Sequence, residues 1–138
     1  SFEGLAEPWI FRREGAFSVD GLPEVRENVQ LVKGWFAETL RAFLKEHTET
    51  CAFIHIDCDV YSSAKTVLGC LEQRIAAGTV IVFDEFFNYP GWREGEYKAF
   101  MEFVDQIGAR FEYVGYTYQK TDKHRSGQQV AVKLTGFG

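Results

Sequence analysis

Two pairs of acidic residues stand out, each closing an apolar run. Residues 51–61 (CAFIHIDCDVY) place Phe53, Ile54 and Ile56 ahead of Asp57-Cys58-Asp59. Residues 79–83 (TVIVF) run directly into Asp84-Glu85. A charge is costly to bury unless it is paired or bound to a cation, so acids that end an apolar strand belong at its mouth, on the rim of the core. Their oxygens are the ligand type that a hard divalent cation prefers.

The stretch between the runs says how the pairs are brought together. Residues 62–78 (SSAKTVLGCLEQRIAAG) begin with serines suited to an N-cap, carry Val67, Leu68, Leu71 and Ile75 at helical spacing, and close on Gly78 as a C-terminal cap. Strand, helix, strand at this length is a βαβ unit, whose strands run parallel through a right-handed crossover. The four carboxylates are then expected at one edge of the sheet, where open α/β sheets bind ligands. Plainer readings also stand on spacing alone. Asp57 and Asp59 could cap the turn and helix that follow, and Asp84-Glu85 could open a solvated loop.

The bulk properties narrow the class. With 138 residues the chain fits one domain, residues 1–138, and can bury roughly 70% of its unfolded surface. A net charge of −5 disfavours nucleic acid and anionic membrane as partners. No apolar run approaches the roughly 18–20 residues of a membrane span, and no signal peptide is visible. Cys51, Cys58 and Cys70 form no CxxC pair and read as reduced thiols of a cytoplasmic protein. Cys58 lies between two carboxylates, which disfavours its thiolate and hence a nucleophilic role. The chain begins at Ser1 and its only methionine is Met101, so either an initiator was removed or the chain is part of a longer protein.

Along the rest of the chain, residues 1–20 read as a long loop anchored by Phe2, Trp9, Ile10, Phe11 and Phe17. Residues 23–28 suggest a short helix and 29–33 a short strand ended by Gly34. Residues 36–47 predict an amphipathic helix with Phe36, Leu40, Phe43 and Leu44 on one face. His55, inside a strand, reads as a core histidine; Trp35 reads equally as a core residue or a ligand-facing one. After Glu85 come a loop over 86–95 with a type II turn at Pro90-Gly91, a helix over 94–107 capped by Gly108, and strands over 111–120 and 129–134. A polar turn over 121–127 joins those strands as a hairpin.

Three stretches together resemble one family. VQLVKGWFAETLRAFL, HIDCDVYSSAKTVLGCL and GTVIVFDEFFNYPGWREGEYKAF are similar to the macrocin O-methyltransferases. These are class I enzymes dependent on S-adenosylmethionine and Mg²⁺, best known for methylating sugars on antibiotics. The resemblance implies a partial Rossmann-like methyltransferase sheet, α/β in class, with parallel strands and a C-terminal antiparallel hairpin. It implies Asp57, Asp84 and Glu85 as Mg²⁺ ligands and Asp59 as general base. It implies Phe2, Glu3, Gly34, Trp35, Phe36 and Asp57 around the S-adenosylmethionine, and a small-molecule acceptor. Glu85 stands where the family more often has Asp. On this reading Asp57→Asn weakens Mg²⁺ binding and Asp59→Asn spares it.

The family's glycine-rich cofactor loop has no counterpart in the sequence, because Gly91–Gly95 and Gly136–Gly138 lack a strand–loop–helix context. The chain therefore resembles the C-terminal portion of such an enzyme, and a homo-oligomer is the expected route to a complete cofactor site. Two other classes remain open. One is a non-catalytic remnant that binds a metal or a partner. The other takes Asp57-Cys58-Asp59 as the D-x-D of a sugar-nucleotide transferase, which would bind a UDP-sugar with Mn²⁺. A phosphatase with an aspartyl nucleophile would need a downstream phosphate-binding set that the sequence does not place.

Overall fold

A computed structural model describes residues 2–120 and 125–138. The N-terminal segment up to Trp35 contains neither the short helix expected over 23–28 nor the strand expected over 29–33. Val25 and Val29 stay 45% and 47% exposed there. A short helix or a lone strand persists only when one face is packed, and these find no partner. The segment is anchored by buried Leu5 and by Trp9, whose ring meets that of Tyr89 at 5.8 Å. Phe11 and Phe17, expected as anchors, are 95% and 58% exposed.

Helix α1, Phe36–Glu46, follows from a four-residue recurrence: Phe36, Leu40 and Leu44 pack on the core. Glu38 in its first turn and Lys45 in its last complement the helix dipole. Phe43 leaves that face and stacks on the His47 ring at 4.0 Å.

Strand β1 (Phe53–Ile56), helix α2 (Tyr61–Leu71) and strand β2 (Val80–Phe83) form the βαβ unit. The strands are parallel, in register from Phe53 opposite Val80 to Ile56 opposite Phe83. Helix α2 is shorter than its periodicity suggested. It gives way to a 3₁₀ turn, Glu72–Arg74, and Ile75 is extended. Tertiary bonds account for this. The Arg74 guanidinium donates to the carbonyls of Leu44 and His47, both at 3.2 Å, and the Arg74 carbonyl accepts the Cys51 N–H at 2.7 Å. The expected caps are absent as well. The N-cap is Val60 with no side-chain bond, and Gly78, at φ +99°, shapes the turn into β2.

The Pro90-Gly91 turn is type II, with Gly91 at φ 81°, ψ 8° and the Trp92 N–H donating to the Tyr89 carbonyl at 3.2 Å. A 3₁₀ turn, Trp92–Glu94, leads into helix α3, Glu96–Gln106. Strands β3 (Ala109–Tyr116), β4 (Gln119–Lys120), β5 (Arg125–Ser126) and β6 (Val130–Phe137) complete the chain. The main sheet has the order β1-β2-β6-β3, with β6 antiparallel to both neighbours. The C-terminal hairpin is as expected, although residues 121–124 of its polar turn lie outside the described residues. The fold is α/β with a mixed, partly parallel four-stranded sheet.

The three helices share one face of that sheet. Ile54, Ile56, Ile81, Phe83, Val132 and Leu134 face them and form the core with Leu68, Phe100 and Phe103. The other face is bare among the described residues. Phe53 is 62% exposed and Val114 58%. His55 lies on this open face, not in the core where its position in a strand had suggested. No helix of the described residues is long and apolar enough to cross a membrane.

Candidate active site

Strands β1 and β2 end side by side, and the Asp84 N–H donates to the Ile56 carbonyl at 2.9 Å just past the paired residues. Beyond Ile56 the pleat breaks. The Val60 N–H donates to the Cys58 carbonyl at 2.6 Å, and Asp59 between them has φ +63°. This is a three-residue γ-turn of the strained hand. A non-glycine residue held there costs on the order of 1–3 kcal/mol and persists only where its surroundings fix it. The turn brings Asp59 back beside Asp57 and Glu85. One oxygen from each of these three carboxylates lies within 4.8 Å of the other two. Asp57 is exposed, Asp59 half-buried and Glu85 buried.

A fourth carboxylate lies beneath them. Glu96 opens α3 and is fully buried. Its Oε1 accepts the Cys58 N–H at 3.2 Å and the Cys58 thiol at 3.6 Å; its Oε2 accepts the Glu85 N–H at 3.2 Å. Crowded acids resist ionisation. Burial, then Asp59 and Asp84, push the Glu85 carboxyl up to about 9. Burial raises Glu96 to about 7, held back by the two backbone N–H groups. Asp59 is raised by burial and by Asp57, against a hydrogen bond with Glu85. The Cys58 thiol is pushed far up by burial and by Glu96, which disfavours the thiolate that a nucleophile would need.

The acids form one wall of a hollow of about 460 Å³, within the range of roughly 300–1,000 Å³ usual for small-molecule sites. Trp35, Phe36, Phe17, Leu5 and Trp9 form the other wall. Among the described residues no lysine or arginine lines it. Glu85 Oε2 is buried without a hydrogen-bond partner among the described residues. An orphaned carboxylate oxygen within an uncompensated acidic cluster fits a divalent cation with oxygen ligands.

Residues 13–114, a span that includes both acidic strand ends, match the family model of the macrocin-O-methyltransferases (TylF). The chain belongs to the macrocin-O-methyltransferase family. Demethyldecarbamoylnovobiocin O-methyltransferase of Streptomyces niveus is 26% identical over 83 residues, which are 59% of this chain and 30% of that protein. Among solved structures, the calicheamicin methyltransferase CalS11 superposes with a TM-score of 0.64 at 20% identity, covering 94% of this chain and 56% of that one. The O-methyltransferase NovP gives 0.54 at 20% identity, with 80% and 39% covered. The likeness to these two shows a shared fold. The chain spans less than two thirds of each of the three.

Within this chain of the macrocin-O-methyltransferase family the expected site residues fall into two groups. Asp57, Asp59 and Glu85 converge, and Trp35 and Phe36 line the same hollow. Asp84 does not join them. Its carboxylate accepts a hydrogen bond from the Gln129 side chain and stands 3.6 Å from His55 Nε2. Nor do Phe2, Glu3 and Gly34 line the hollow, although Gly4 does. The Phe2 carbonyl accepts the Val19 N–H at 3.1 Å. Gly34, at φ +138°, sits where a Cβ would be 2.6 Å from Thr39 Cγ2, so its place is the tight entry to α1. Trp35, the α1 N-cap, is 38% exposed and is not a core tryptophan.

The plainer readings of the acids do not hold throughout. With no side-chain cap on α2, Asp57 and Asp59 cap nothing there, and Glu85, being buried, opens no solvated loop. Sequence reasoning missed Glu96. A signal for Glu96 existed: it stands three and four residues before Ala99 and Phe100, on the buried stripe of α3.

Proposed function

We propose that the chain is the metal-bearing part of an S-adenosylmethionine- and Mg²⁺-dependent O-methyltransferase that acts on a hydroxyl of a sugar or other small molecule. The observation that carries this is the convergence of Asp57, Asp59 and Glu85 on the rim of an aromatic-walled hollow. The parallel β1–β2 pair joined by α2, with antiparallel β6 beside it, supports a Rossmann-like class I sheet. Three free cysteines agree with a cytoplasmic setting.

Methyl transfer from a sulfonium to a hydroxyl is an in-line displacement, so donor and acceptor must be aligned and the acceptor proton removed. A bound Mg²⁺ would lower the pKa of the acceptor hydroxyl and fix its oxygen. Asp57, Asp59 and Glu85 would hold that ion through one oxygen each. The second oxygen of Asp59 takes the acceptor proton. Trp35 and Phe36 offer the adenosine an apolar wall.

The bare sheet face and the outer edge of β1 favour a second reading. In it the chain holds the metal alone, and further polypeptide, such as a second copy, completes the cofactor site. Calorimetric titration of S-adenosylmethionine, with Mg²⁺ and again with EDTA, separates the two. Saturable binding supports a complete site. A folded chain that binds Mg²⁺ but not the cofactor supports the second reading, and one that binds neither removes both.

A further inference from the structure

We propose that Glu96 is a positioning residue, whose two carboxylate oxygens brace the backbones of Cys58 and Glu85 and so fix the separation of the acid-bearing strand ends. The importance of this brace for metal binding rests on the reading above; the brace itself does not.

The argument starts from cost. Glu96 is fully buried, and no lysine, arginine or histidine forms an ion pair with it among the described residues. A buried carboxylate without such a partner is expensive, and the other buried residues of α3, Ala99, Phe100, Phe103 and Val104, are all apolar. What the carboxylate supplies is acceptors at two places. Cys58 N–H leads out of β1 and Glu85 N–H leads out of β2, and each meets a different Glu96 oxygen at 3.2 Å. Left unmet, the Glu85 N–H would be a buried donor without a partner and the Cys58 N–H a half-buried one. The two peptide groups flank the carboxylates that converge: Cys58 lies between Asp57 and Asp59, and the second amide is that of Glu85 itself. The position at the start of α3 also places the negative charge at the favourable end of the helix dipole.

The geometry specifies which substitutes fail. Glutamine offers one acceptor, and its amide N–H would face a backbone N–H. Aspartate keeps the charge but is one methylene short of reaching both strand ends. Two measurements on the full 138-residue chain test the brace. The first is residue-resolved amide hydrogen exchange by NMR without metal. In Glu96→Gln, exchange at Cys58 and Glu85 should quicken on the order of tenfold while Ile81 and Val132 stay protected. Unchanged protection at Cys58 and Glu85 overturns the brace.

The second measurement is Mn²⁺ affinity by electron paramagnetic resonance. Affinity should fall in Glu96→Gln and Glu96→Asp alike. Full affinity in Glu96→Asp would mean that charge, not reach, matters, and would overturn the positioning role. If the parent chain binds no Mn²⁺, the metal reading fails, and the exchange data decide the brace alone. Should Glu96→Gln fail to fold, exchange in Glu96→Asp serves in its place.

Discussion

Asp84 and Glu85 are consecutive residues that face opposite sides of the sheet. Asp84 lies against Gln129 and His55 on the open face, while Glu85 turns under the helices to meet Asp59. Adjacent acids at a strand end cannot both reach one ion if the pleat continues through them, because successive side chains alternate faces. Here it continues, since Asp84 N–H still bonds to the Ile56 carbonyl.

Substitution of the acids should follow this division. Asp57→Asn, Asp59→Asn and Glu85→Gln are each expected to weaken Mg²⁺ by at least the roughly 10–100-fold that disturbing even the partners behind a metal ligand causes. Asp84→Asn should change the affinity far less, because its carboxylate acts on Glu85 only through its charge. The γ-turn at Asp59 replaces the expectation from the family resemblance, under which Asp59→Asn was to spare the metal. Calorimetric titration with Mg²⁺ decides, and a loss in Asp84→Asn as large as in Glu85→Gln would refute the assignment.

Stability of the metal-free chain should fall as pH rises. Glu85 and Glu96 bind their protons more tightly folded than unfolded, with values of about 9 and about 7 against an ordinary 4.5. Their protonated forms stabilise the fold fully below about 4.5. That stabilisation is lost as pH climbs through 7 for Glu96 and 9 for Glu85. Added Mg²⁺ should flatten the decline, because it binds the ionised carboxylates. Urea midpoints between pH 5 and pH 9, with and without Mg²⁺, provide the check; a metal-free midpoint that rises with pH contradicts the geometry.

Phe100→Ala should cost about 3–5 kcal/mol, as for other buried aromatic deletions. Phe100 is fully buried and its ring meets Phe83 at 5.1 Å and Phe111 at 4.8 Å, joining α3 to β2 and β3. A urea midpoint close to that of the parent chain would show that this aromatic cluster is not the centre of the core.

Gly34→Ala should destabilise more than Gly78→Ala. Both glycines have positive φ, and forcing such a conformation on alanine costs on the order of 1–3 kcal/mol. Only at Gly34 would the added Cβ also collide with Thr39, at the turn that presents Trp35. Thermal melts of the two variants give the comparison, and equal losses would mean that the entry to α1 yields without strain.

The sequence alone determined the family, the α/β class, the parallel βαβ unit and the C-terminal hairpin. The family is carried by the three stretches that resemble it; the rest follows from local regularities: apolar runs of strand length, helical spacing after Ser62, and a polar segment over 121–127 between the last two strands. It also marked Asp57, Asp59 and Glu85. Tertiary structure alone decided how the acids are grouped. A positive φ at Asp59, the alternation that carries Asp84 away, and the arrival of Glu96 from a helix 38 residues beyond Cys58 all depend on how strands and helices meet. Tertiary bonds also ended α2 early at Arg74, and the packing of all three helices on one side left His55 on the open face. Periodicity reports which residues share a face; it carries no information on which element, if any, covers that face.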